Sequence, residues 1–148
     1  MTNEELLAGA PLFAKLKKGT LKRITKVAVR RSYKPGQVIV KEGEFRISSY
    51  HLQSFYIIVS GKAQVVKGLG KKEEAVLATL GPKEFFGEMS LFDDYPRSAS
   101  VIAKEDTECL VLERRRLLAE IRSHPEMAFP MLAVLSRRLR EVEKATVE

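Results

Sequence analysis

The chain has 148 residues, 45% of them hydrophobic and 30% charged, with a net charge of +7 at pH 7. That length can bury one full core, and that balance excludes a disordered chain. No apolar run reaches membrane-spanning length, the start Met1-Thr2-Asn3-Glu4-Glu5 lacks the basic region of a secretory leader, and the lone Cys109 excludes an internal disulfide, so the expected setting is reducing and cytoplasmic.

The elements are taken in chain order. Residues 3 to about 30 read as short helices and turns, followed by a strand containing Val27, Val29 and Tyr33. The whole charge excess lies in this part: residues 1–50 hold 11 Lys+Arg against 4 Asp+Glu, while residues 51–100 hold 6 against 6 and residues 101–148 hold 9 against 9. Lys15, Lys17, Lys18, Lys22 and Lys26 fit the solvated face of short amphipathic helices, and charge alone names no anionic partner. Pro35-Gly36 predicts a type II-like turn, and Val38-Ile39-Val40 a β-branched strand. Phe55 to Val59 and Ala63 to Val66 flank Ser60-Gly61-Lys62 as a hairpin pattern. Gly68-Leu69-Gly70-Lys71-Lys72 is a basic loop, and Ala75 to Leu80 a further strand closed by Gly81-Pro82. Ser98 to Ala103 and Thr107 to Leu112 are strands as well, with Cys109 a small core residue of the second. Many short strands with turns between them suggest a barrel or jelly roll.

The C-terminal third changes period. Leu117, Leu118 and Ile121 recur at helical spacing, and Ser123-His124-Pro125-Glu126 has a capping-box pattern with Ser123 as N-cap. Ala128, Leu132, Leu135, Leu139 and Val142 make an apolar stripe along a last helix that begins or kinks at Pro130. The stripe suits three jobs: core against the barrel, a short dimer seam, or a lid over a ligand. His51 and His124 are not spaced as a metal site, and no nucleophile–base pair stands out, so neither a cofactor nor an enzymatic role is expected.

The stretch with the most chemical content is Phe85-Phe86-Gly87-Glu88-Met89-Ser90-Leu91-Phe92, followed by Pro96-Arg97-Ser98-Ala99-Ser100-Val101. Gly87 allows positive φ or a close backbone approach. Glu88 to Phe92 can form a helical turn whose first N–H groups favour an anion. Arg97 offers a planar fork for phosphate oxygens, and Ser98 and the N–H of Ala99 add donors. Glu88 repels a phosphate but suits hydroxyls as an acceptor, with Arg97 balancing its charge. The pattern therefore fits an anion with a neighbouring hydroxyl. The plainer alternative is a surface loop with a Glu–Arg ion pair.

The run Phe86-Gly87-Glu88-Met89-Ser90-Leu91, then Pro96-Arg97-Ser98-Ala99 and Val101, resembles the phosphate-binding cassette of cyclic nucleotide-binding domains. These occur in catabolite activators, protein kinase A regulatory subunits and cyclic-nucleotide-gated channels. Tyr33 to Ile39 and Phe55 to Ala63 are similar to flanking motifs of that family, and the resemblance extends over about residues 10 to 145. It implies a mainly β fold: an eight-stranded jelly-roll barrel with N-terminal helices and C-terminal lid helices, in one domain. Its segments would be 1–30 helical, 31–112 barrel with cassette 86–101, and 113–148 helical.

The resemblance also implies roles. Glu88 would accept the ribose 2′-hydroxyl, Arg97 would neutralise the cyclic phosphate, and Gly87, Ser98 and Ala99 would offer backbone donors. Phe86, Met89 and Ser90 complete the cassette. Base contacts would come from Leu132, Leu135, Ser136 and Leu139 on the last helix and from Val65 or Val76 on strands. Ser98 leaves cAMP and cGMP both open, with cAMP preferred. The implied function is a cyclic-nucleotide sensor that relays binding through its last helix to an effector protein or a fused effector domain. A homodimer through that helix is a further expected partner. The alternative is an interaction module of the same fold that binds no nucleotide. No helix-turn-helix pattern follows the last helix in these 148 residues. One stretch departs from the family, whose members usually have a tight turn of about four or five residues there: Phe45 to Ser54 is longer, whereas hairpin loops normally run about two to five residues. Covering an edge, binding a partner and carrying a second specificity all stay open for it.

Overall fold

The computed structural model describes residues 1–43, 53–93 and 96–147. Most of the Phe45 to Ser54 stretch lies outside the described residues, as does Tyr95 of the cassette loop. Two helices, α1 (Asn3–Ala8) and α2 (Lys18–Val27), precede the strands. One sheet joins β1 (Val29–Tyr33), β8 (Thr107–Glu113), β3 (Ser54–Ser60) and β6 (Phe85–Phe86) in that order. The other joins β2 (Val38–Val40), β7 (Ser100–Ala103), β4 (Ala63–Lys67) and β5 (Ala75–Leu80). Every pairing is antiparallel. Helices α3 (Arg114–Ser123) and α4 (Ala128–Val147) follow β8, joined through a 3-10 turn at Pro125–Met127. This is the eight-stranded jelly roll with flanking helices that the sequence predicts.

Strand β3 explains where the core sits. Its alternate residues enter two apolar clusters. Phe55 and Ile57 pack with Leu7, Ile24, Leu117 and Met131 of the four helices. Tyr56 and Ile58 pack with Val101, Cys109 and Val111 between the sheets. A strand covered on both faces reads as a continuous apolar run, which is how Phe55 to Val59 reads in the sequence. Burial also pushes the Cys109 thiol up to about 12, as expected of a core residue rather than a reactive thiolate.

Three local expectations are corrected. Val27 ends α2 rather than opening a strand. Leu21 and Ile24 are buried one helical turn apart, and that periodicity carries the helix through Val27 until Ala28 becomes extended. The pattern around Ser60-Gly61-Lys62 is no hairpin. Strand β3 pairs with β8 and β6, while β4 pairs with β5 and β7, so the turn passes between sheets. Gly61 sits at φ +94, and a Cβ there would lie 2.4 Å from the Asp106 carbonyl oxygen, so the chain crosses tightly under the β7–β8 turn. The sequence announced the turn but not which strands it would join.

Ser123 does not cap a helix. It is the last residue of α3, and His124 precedes the next turn without a side-chain cap bond. Pro125 disfavours helical geometry at the residue before it, so the helix stops at His124 and restarts beyond. By contrast, the Pro35-Gly36 turn forms as predicted, closed by the Gln37 N–H donating to the Lys34 carbonyl at 3.0 Å. Pro130 falls in the first turn of α4, where its missing N–H breaks no helical bond.

Candidate functional site

Gly87 takes φ +82 and opens a 3-10 turn at Glu88–Leu91. A Cβ at Gly87 would lie 2.6 Å from the Ser54 carbonyl oxygen and 2.8 Å from Arg97 Nη1. Only glycine therefore lets the turn lie against β3 with the guanidinium across it. Two contacts fix the turn's ends. Phe86 stacks on Tyr56 of β3 with ring centroids 4.7 Å apart and planes 5° from parallel. Leu91 is fully buried in the helix-side core.

These elements enclose a cavity of about 460 Å³, within the range that holds a small ligand. Phe86, Gly87, Glu88, Met89 and Ser90 line one part of it. Arg97, Ser98 and Ala99 line another, and Val65 of β4 contributes from the opposing sheet. All eight cassette residues singled out in the sequence thus meet at one cavity, together with one strand candidate. Val76 does not join them: it lies 54% exposed on the edge strand β5. Leu132, Ser136 and Leu139 are exposed on α4, and Leu135 is half-buried against the helix-side core.

Glu88 is the electrostatic centre. It is only 7% exposed. Its Oε1 is paired with the Arg138 guanidinium of α4, not with Arg97 as the sequence suggested. Its Oε2 is buried and has no hydrogen-bond partner. A buried carboxylate oxygen without a donor is costly, so this atom is set to accept from an incoming hydroxyl or amine. Arg97 instead donates from Nη2 to the Ser54 carbonyl at 3.1 Å.

Arg138 is the residue that sequence reading missed. Met127 and Met131 are buried, Leu135 is half-buried, and Arg138 follows at helical spacing on that same face. The inward face of α4 is thus displaced by about one residue from the stripe of Leu132, Leu139 and Val142. The Met131-Leu135-Arg138 spacing was visible, but an arginine at the end of an apolar row reads as solvent-facing until a buried carboxylate is known to await it.

Among the described residues no cluster of His, Cys, Asp and Glu could hold a metal ion, and no helix is long and apolar enough to cross a membrane. The site is therefore a mostly apolar cavity with one buried acceptor and an edge formed by Arg97, Ser98 and Ala99.

The chain is 40% identical over 137 residues to the cyclic AMP receptor protein of Thermus thermophilus, covering 93% of this chain and 61% of the relative. It is 39% identical over 112 residues to a cGMP-dependent protein kinase of Eimeria tenella, covering 76% of this chain and 10% of the kinase. The N-terminal domain of a transcriptional regulator from Streptomyces coelicolor superposes with a TM-score of 0.83 at 28% identity, covering 95% of this chain and 94% of that one. The chain spans only about three-fifths of the receptor-type relatives it matches, 61% and 58% of their lengths. The sequence profile described as the cyclic nucleotide-binding domain matches residues 30–124, which run from the first strand through the cassette to the end of α3. With that match falling on the residues that build the cavity, the chain belongs to the cyclic nucleotide-binding domain family.

Proposed function

We propose that this chain is a cyclic-nucleotide sensor that prefers cAMP and relays its binding through α4. The observation that carries the reading is the buried, unpartnered Glu88 Oε2 in a cavity that Arg97 also lines. Glu88 accepts the ribose 2′-hydroxyl there. Arg97 swings from the Ser54 carbonyl to the cyclic phosphate, joined by the amides of Ser98 and Ala99. Phe86, Gly87, Met89 and Ser90 wall the sugar-phosphate, and Val65 meets the base. The preference for cAMP is supported by the likeness to a relative named for cyclic AMP.

The relay rests on the Arg138–Glu88 pair, which ties α4 to the ligand's own anchor. A hydroxyl arriving at Glu88 competes for the charge that holds Arg138. Binding thereby shifts the population of α4 positions, and Leu132, Leu135, Ser136 and Leu139 are the residues such a shift brings toward the base. Phe129, Leu132, Leu139 and Val142 are exposed apolar side chains on one helix, which supports a second copy or an effector segment packing along α4. The sensor has no catalytic step of its own and acts in the cytoplasm, on an effector protein or a fused effector domain.

Titration calorimetry tests this. The chain should bind cAMP at micromolar or tighter affinity and more tightly than cGMP, and Arg97→Ala should weaken cAMP by about 100-fold through loss of charge-assisted phosphate bonds. If neither nucleotide binds, the sensor reading fails, and the exposed α4 stripe then favours an interaction module of the same fold.

A further inference from the structure

Behind the cavity's donor edge lies a group of residues that does not line it. The Arg97 carbonyl accepts from the Gly43 N–H at 2.8 Å, and the Ser98 carbonyl accepts from Lys67 Nζ at 2.8 Å. In a planar trans peptide the N–H of the next residue points opposite to the carbonyl. The amides of Ser98 and Ala99 are therefore turned the other way, and neither donates to a described residue. Both residues line the cavity, whereas Glu42, Gly43 and Lys67 do not.

The rear group is itself cross-linked. Lys67 Nζ lies 3.8 Å from Glu42 Oε2, and Glu42 Oε1 accepts the Gly68 N–H at 2.9 Å. The Glu42 N–H in turn donates to Ser100 Oγ at 2.9 Å. The ends of β2 and β4 thus grip the Arg97 to Ser100 segment from the outside. An ammonium has enough donors to bridge a carbonyl and a carboxylate at once, which a neutral side chain of the same length cannot do.

We propose that Lys67 and Glu42 are positioning residues for anion binding: by holding the Arg97 and Ser98 carbonyls outward, they aim the Ser98 and Ala99 amides at a phosphate in the cavity. This rests on the cyclic-nucleotide reading of that site. The side chains of Lys67 and Glu42 are 55% and 31% exposed, and ion pairs this open add little to folding stability. Their effect is on donor direction. Removing the cation lets the Ser98 peptide reorient, and part of the binding free energy is then spent on ordering it again.

The test uses the full chain, cAMP calorimetry, thermal unfolding without ligand, and the Ser98 and Ala99 amide resonances. Lys67→Met should weaken cAMP by about fivefold to tenfold, with the unliganded midpoint unchanged. Lys67→Arg should restore binding, and Glu42→Gln should give a smaller loss in the same direction. Equal cAMP affinity in the parent and Lys67→Met proteins overturns the proposal while leaving the sensor reading intact. A loss of affinity accompanied by a lower midpoint overturns it too, because the role is then structural. If the parent protein binds no cyclic nucleotide, the sensor reading fails separately. The amides then decide: resonances that move in Lys67→Met but not in Lys67→Arg sustain the clamp, and unmoved resonances overturn it.

Discussion

The cassette and helix α4 both reach Glu88, but they do so from opposite kinds of order. In the cassette the residues that meet at the cavity are neighbours in the chain. Gly87, Glu88, Met89 and Ser90 follow one another through a single turn, and Arg97, Ser98 and Ala99 follow one another behind it. Helix α4 contributes through one residue, Arg138, whose approach depends on how a 20-residue helix is rotated and tilted against the barrel. A local site tolerates little change in its backbone. A site completed by a remote helix can be opened or closed by moving that helix, and the proposed relay through α4 draws on this difference.

The contrast yields predictions of decreasing size. Gly87→Ala strikes the local half. It adds a Cβ 2.6 Å from a backbone oxygen at φ +82, and should destabilise the fold by about 3–5 kcal/mol in urea unfolding while abolishing cAMP binding. A cassette that kept its stability with alanine there would mean the turn is far more pliant than its contacts indicate.

Arg138→Ala strikes the remote half. It leaves both Glu88 oxygens without a partner and should cost about 1–2 kcal/mol, less than for a fully buried pair because the Arg138 side chain is 36% exposed. Adding Glu88→Gln should recover part of that loss, since the uncompensated charge is gone. Additivity in this double-mutant cycle would mean that the ion pair is not what ties α4 to the cassette.

Leu139→Ala should change monomer stability by less than about 0.5 kcal/mol, because the residue is 60% exposed. It should nevertheless weaken any self-association detected by sedimentation. A large stability loss would show that α4 packs with a different face inward.

Arg114 shows how the two halves are also joined near the barrel. Its Nη1 donates to the buried Gln53 Oε1 at 2.6 Å and to the Asp93 carbonyl at 3.2 Å. The first residue of α3 is thus bonded to the end of the cassette turn and to the residue just before β3. In the proposed relay, a displacement of the turn would pass into α3 and from there through the Pro125–Met127 turn to α4.

Legibility in the sequence followed the same division. The cassette was readable because its chemistry depends on spacing along the chain: a glycine for the left-handed corner, a carboxylate beside it, and an arginine after a proline. The strands were readable from apolar runs and turn residues. The crossing at Ser60-Gly61-Lys62 was misread because a tight turn has the same composition whether the following strand pairs with its predecessor or enters the other sheet. The end of α3 was misread because the cap pattern at Ser123 competes with the backbone restriction that Pro125 imposes. Arg138 and the Lys67–Glu42 clamp left no trace, because each acts on residues more than 25 positions away.

By itself, then, the amino-acid order determined the jelly-roll class, the turn that opens at Gly87 and the cassette residues that meet at one cavity. These are set by backbone restrictions and by periodicity over a few residues. The tertiary structure alone decided which face of α4 turns inward, which cation neutralises Glu88, and which side of the Arg97–Ser98 backbone is held away from the cavity. Those choices depend on how distant elements pack, and the free-energy differences among helix rotations are set by burial across the whole core rather than by any local run of residues.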